Sequence, residues 1–285
     1  MVSDSERRYT EMGSVTGRIK EIKQPRGGYV KPSQFRTIEI MNNTMLYEKE
    51  NIHPTIVGMV VDYMTRFCSN KRKDEAFAIS PKGARLAGKV KEALELFDNI
   101  HDLDEVSIVN ACKLVTFDVW YRNPMAATMS ASYETINPDQ NTIHNIYIMV
   151  CRSLNIMQIY GPVLKDGFTF EPEGGYMENM SVYSEMLSGK CSYGGYTKTV
   201  NTGDGDFLTT DTLWDFKVSK AKPTSKHTLQ LLMYWIMGQH SGREEFRNIT
   251  KLGIYNPRLD EVYLLDIKEI PKEVIKEIEE NVICY

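Results

Sequence analysis

Two aspartates and a lysine lie close together in "GDGDFLTTDTLWDFKVS", residues 203 to 219: Asp206, Asp215 nine positions later, and Lys217 two beyond that. The segment reads as a hairpin in which Asp206 lines one strand, Thr209 to Asp211 turn, and 212 to 218 return. Antiparallel neighbours are about 4.8 Å apart, so an Asp on each strand, facing the same side, can share a cation. Two carboxylates with waters make a hard oxygen site suited to Mg²⁺, which polarises a phosphate oxygen and acidifies water. Lys217, on the face of Asp215, would orient or deprotonate that water, or stabilise charge on a phosphoryl group. Trp214, Phe216 and Val218 point the other way. Two plainer readings stay open: a wet face on a half-exposed strand, or a surface ion pair of little worth.

With Asp206, Asp215 and Lys217 in the catalytic positions, this stretch resembles the core of the PD-(D/E)XK nuclease superfamily. "HTLQLLMYWIMG" follows, with Gln230 and Tyr234 four residues apart and so on one helix face. It resembles the Q-x-x-x-Y helix of the RecB-like branch, an exonuclease-type core, whose Gln and Tyr stand beside the catalytic residues. Leu229, Leu232, Met233 and Ile236 are expected to form the buried stripe, leaving Gln230 and Tyr234 near its edge. The bland alternative makes Gln230 incidental and Tyr234 part of the core.

RecB-like nucleases often carry an early helix with a Gly-x-x-x-His pattern whose His reaches the metal. Here "PTIVGMVVDYMTRF" places Asp62 four residues after Gly58. The resemblance thus implies a metal set of Asp62, Asp206 and Asp215 around Mg²⁺ or Mn²⁺. Against it stands a helix-surface Asp62 paired with Arg66 at i+4. Some relatives hold an iron–sulfur cluster, but Cys68, Cys112, Cys151, Cys191 and Cys284 lack the spacing, so no cluster is expected.

The elements that would hold these residues follow from pattern. "FRTIEI" reads as a strand after a turn at "PRGGY". Apolar spacing predicts a helix from Pro54 to Phe67, a second over "SPKGARLAGKVKEALELF" with Ser80 as N-cap, a third near 104–121 and a fourth near 142–159. From 160 to 218 the chain is strand-like, with a short helix at "VYSEML". "KLGIYN" and "EVYLLDI" flank a "PRLD" turn, and "PKEVIKEIEENV" reads as a closing helix. The expectation is an α/β (α+β) fold, a central mixed sheet flanked by helices with a restriction-endonuclease-like core. A basic segment with strands (1–53) would precede the nuclease domain (54–285), which carries a helical insertion at about 68–160.

Composition adds bounds. The 285 residues are 42% hydrophobic and 25% charged, with net charge −4. That composition is ordinary for a globular chain, and no polyanion-binding bulk charge is evident. Between Arg7 and Arg36, however, eight basic residues face two acids. Arg18, Lys20, Lys23 and Arg26 are the candidate nucleic-acid contacts there, supported by "NKRK" at 70–73, with a solvated arm as the alternative. A charged N-terminus, scattered cysteines and no long apolar run predict a reducing, cytoplasmic location without membrane association. A G-x-x-x-x-G-K-[ST] loop is absent, which disfavours an NTPase. The expected activity is metal-dependent hydrolysis of phosphodiester bonds, in DNA ahead of RNA. The alternative is an inactive nuclease fold that binds nucleic acid or an unidentified protein partner.

Overall fold

A computed structural model describes residues 13–40, 44–70, 72–171 and 194–285. Its centre is a six-stranded mixed sheet: β1 (Arg36–Glu39), β2 (Lys165–Thr169), β3 (Asp204–Leu208), β4 (Thr212–Phe216), β5 (Lys251–Asn256) and β6 (Glu261–Asp266), in spatial order β1-β6-β5-β4-β3-β2. Only β4 and β5 are parallel. Parallel neighbours need a crossover, and α10 (Ser225–Ser241) supplies it. The fold is α/β, as expected, and β1 from the basic N-terminal segment belongs to the same sheet.

The helices are α1 (Val15–Glu21), α2 (Pro54–Asn70), α3 (Lys73–Ala76), α4 (Ile79–Leu86), α5 (Val90–Asp98), α6 (Glu105–Leu114), α7 (Asp118–Arg122), α8 (Pro124–Ala127), α9 (Gln140–Tyr160), α10 and α11 (Lys272–Glu277). Local chemistry starts several of them. Asp104 accepts the Ser107 amide at 2.7 Å to cap α6, and Asp139 accepts that of Thr142 at 2.8 Å to cap α9. Gly242, at φ 68°, ends α10 in the left-handed conformation. No helix among the described residues is long and apolar enough to cross a membrane.

Three apolar clusters hold the layers. Leu208 and Leu213 pack with Leu229, Leu232 and Met233 of α10, and with Val15 and Ile19 of α1, on one face. Phe207 and Trp214, stacked at 5.8 Å, meet Ile156 of α9 on the other. A helical cluster joins α2, α6 and α9, with Phe216 and Val218 at its edge.

Several elements differ from the pattern. The second helix breaks at Gly88 (φ 68°) into α4 and α5, and Ser80 is no cap: it lies inside α4, its hydroxyl turned to Asp118. The third breaks after Leu114 through a 3-10 turn into α7. The basic stretch after Asn70 leads into a helical turn, Lys73–Ala76. The short helix expected at "VYSEML" lies outside the described residues, as do Arg7, Arg8, Lys71 and Cys191.

Candidate active site

The hairpin forms where the spacing puts it, with Thr209–Asp211 as its turn. Phe207 pairs with Trp214 and Leu208 with Leu213, and the β3–β4 ladder stops there. β3 goes on pairing with β2 as far as Asp204, and β4 with β5 as far as Phe216. The two strands therefore part at Asp206 and Asp215. The amide of Phe216, which a continuing ladder would bond to β3 backbone, donates instead to Asp206 Oδ2 at 2.6 Å. Asp206 sits in the opening between the strands, on the face of Asp215.

Asp215 is 3% exposed. A merely wet strand face is therefore excluded, as is a fully exposed ion pair. Lys217 Nζ donates to Asp215 Oδ1 at 2.7 Å, while Asp215 Oδ2 is buried with no hydrogen-bond partner among the described residues. Burial, and then the Asp215 charge, push the Asp206 carboxyl up to about 7. Burial acts to lower the Lys217 ammonium, but Asp215 and Asp206 overcome it and hold its pKa above the ordinary value. Lys217 is thus a cation at neutral pH and donates rather than accepts.

Asp62 arrives from the opposite face. It lines a cavity of about 350 Å³ with Pro54, Thr55, Gly58, Met59, Phe216 and Val218. Burial pushes its carboxyl up to about 6, Arg66 and Lys217 oppose that, and Asp62 in turn raises Asp206. Asp62 therefore stands within electrostatic reach of both Asp206 and its i+4 neighbour Arg66. Arg66 Nε is held by Asp166 of β2, at 2.9 and 3.1 Å from its two oxygens.

Gln230 and Tyr234 share a face of α10, but Tyr234 is core rather than edge. It is 3% exposed, with its ring against Phe168 and Phe170, and its hydroxyl accepts from Gln230 Nε2 at 3.0 Å. Burial raises its pKa, and the Asp215 and Asp206 charges act in the same direction. Leu229, Leu232, Met233 and Ile236 are buried as expected.

The basic candidates divide. Arg18 is spent on the chain itself: Nε and Nη2 donate to the carbonyls of Val282 and Asn281 at 2.9 and 3.1 Å, and Nη1 pairs with Glu21. Lys20, Lys23 and Arg26 are exposed. The nearby Val30 carbonyl accepts from Thr228 at 2.6 Å, which fixes this segment on the first turn of α10. In "NKRK", Arg72 pairs with Glu75, and Lys73 Nζ donates to the carbonyls of Phe97 and Ile100 at 2.7 and 2.8 Å.

Sequence reasoning missed Asp166, Asp204, Arg122 and His227. Burial lowers the His227 pKa and the Lys217 charge lowers it further; its place in "HTLQ", just ahead of Gln230, was the available signal. Asp204 shares a strand face with Asp206, readable from D-G-D. Asp166 and Arg122 come from distant elements and carry no local signature. Arg66 pairs with Asp166 and Lys217 with Asp215, and Asp62, Asp204, Asp206 and Arg122 are electrostatically coupled to this set.

Among the described residues, no group of three or more His, Cys, Asp or Glu side chains is placed to hold a metal ion. Magnesium is commonly held by one or two carboxylates plus substrate phosphates. Asp206 and Asp215 fit that need: two mutually repelling carboxylates, one with a buried oxygen lacking a partner. No family model, curated protein or solved structure matches this chain.

Proposed function

We propose that this protein is a divalent-metal-dependent nuclease of the PD-(D/E)XK type that hydrolyses phosphodiester bonds, in DNA ahead of RNA. One observation carries the reading: Asp206 and Asp215 face each other where β3 and β4 part, with Lys217 on Asp215 and one Asp215 oxygen buried without a partner. Asp206 and Asp215 would hold Mg²⁺ or Mn²⁺, which when bound would supply Lewis-acid activation of phosphate and water, with Asp62 adding to the negative charge felt by Asp206 rather than completing a three-carboxylate set. Lys217, a cation, stabilises the charge that develops on the phosphoryl oxygens as water attacks phosphorus and the P–O bond to the leaving group breaks. It is not the base. Gln230 donates to the Tyr234 hydroxyl and holds that buried ring in place behind the hairpin. The test is incubation with labelled single-stranded, duplex and circular DNA in Mg²⁺, Mn²⁺ or EDTA. Cleavage in the metals and none in EDTA is expected; no cleavage of any substrate overturns the reading.

The alternative is a nuclease fold that binds nucleic acid without cutting it. Binding of the same DNAs without cleavage in any metal would select it.

A further inference from the structure

The helical lobe buries a carboxylate of its own. Asp118, 1% exposed, accepts from Tyr63 Oη at 2.5 Å and from Ser80 Oγ at 2.6 Å. These three residues come from α7, α2 and α4. A carboxylate inside an apolar cluster is expensive unless its partners are well placed. The network has one solvent-facing end, Arg122, whose Nη2 donates to Tyr63 Oη at 3.3 Å and whose Nε stands 3.8 Å from Asp118 Oδ2. Its side chain is 52% exposed, so part of the guanidinium fork is left for another anion.

Tyr63 follows Asp62 on α2, so the residue that holds Arg122 adjoins the carboxylate that lines the cavity. Arg122 accordingly acts to lower the pKa of both Asp62 and Asp204. The two other cations coupled to Asp62 are already held: Lys217 by Asp215 and Arg66 by Asp166. An acidic site that takes a polyanion still needs a preorganised cation at its flank.

We propose that Arg122, held by the buried Tyr63–Asp118–Ser80 network, is a phosphate-binding arm by which the helical lobe grips the backbone of a nucleic-acid strand beside the cleavage site. Arg122 touches the phosphate; Tyr63 and Asp118 are positioning residues. The inference rests on the nuclease reading. A planar guanidinium with two fixed edges suits a phosphate's paired oxygens, which an ammonium cannot match.

The test is binding of an end-labelled single-stranded oligonucleotide in Ca²⁺ over a salt series, alongside cleavage in Mg²⁺. Arg122→Gln, at an exposed position, should weaken binding about tenfold and reduce the slope of log affinity against log salt by roughly 0.7, one phosphate's share. Arg122→Lys should restore the slope and only part of the affinity. Tyr63→Phe should weaken binding a few-fold alone and add nothing on the Arg122→Gln background, whereas independent, additive losses would make Tyr63 merely structural. If Arg122→Gln binds like wild type with the same slope while metal-dependent cleavage is intact, the arm is wrong and the nuclease reading stands. A wild-type protein that neither binds nor cuts nucleic acid overturns both.

Discussion

The Asp206 carboxylate takes the backbone N–H of Phe216 at 2.6 Å, a bond that a continuous β3–β4 ladder would have given to a backbone carbonyl. One aspartate therefore satisfies the orphaned amide of the neighbouring strand and stands opposite Asp215. The opening in the sheet and the carboxylate pair are one feature, and the predictions below follow from it.

In EDTA, the protein should lose stability as pH rises. Asp206 shifts from an ordinary 3.8 to about 7 on folding. The folded state therefore binds the proton more tightly than the unfolded one, and its stabilising effect is complete below pH 3.8 and lost as pH rises through 7. Asp206→Asn should flatten that loss while still accepting the Phe216 amide. Thermal melts at pH 5 and 8 check both; Mg²⁺ should raise the melting temperature more at pH 8. A metal-free stability equal at the two pH values, or Mg²⁺ effects equal at both, would refute the electrostatic account.

Lys217→Ala should abolish cleavage and also destabilise, by about 1–3 kcal/mol, because it strips from a buried Asp215 the partner it has among the described residues. Adding Asp215→Asn should recover stability but not activity. Denaturant melts of the single and double variants decide; a single variant as stable as wild type would mean that Asp215 finds another partner.

Tyr234→Phe keeps the ring against Phe168 and Phe170 and loses only the Gln230 bond. Its cleavage rate should stay within about tenfold of wild type, the scale of one neutral hydrogen bond, whereas Tyr234→Ala should unfold the sheet edge. A Tyr234→Phe variant as dead as Lys217→Ala would give the hydroxyl a chemical role.

Gly205→Ala should damage fold and site together. A Cβ there would lie 1.8 Å from Phe168 Cζ, and neighbouring Asp206 would shift with the backbone. Overpacking of this kind costs about 1–3 kcal/mol, visible in the melting midpoint. An unchanged midpoint would mean that β2 and β3 are looser than their pairing implies.

The hairpin and the crossover helix were legible because their signals are local: a turn at Thr209–Asp211, Asp and Lys two apart on a strand, Gln and Tyr four apart on a helix. The burial of Tyr234 was not, since α10 is apolar nearly all round and is covered on both sides, by the sheet and by α1. Asp166 reaches the site only through the pairing of β2 with β3, and Arg122 only through the folding of α7 onto α2. Neither contact leaves a trace in spacing. Ser80 misled because a Ser-Pro start resembles a helix cap, yet its hydroxyl serves a carboxylate 38 residues away.

The most direct test is cleavage of labelled linear DNA in Mg²⁺ by wild type and Asp206→Asn, with folding of both verified by melting. Asp206→Asn keeps the bond to Phe216 and removes one charge from the metal site, so wild type should cut and the variant should lose about 100-fold or more in rate, the scale of a lost electrostatic stabiliser. A folded Asp206→Asn that cuts as fast as wild type would contradict the assignment of this carboxylate pair as the catalytic centre.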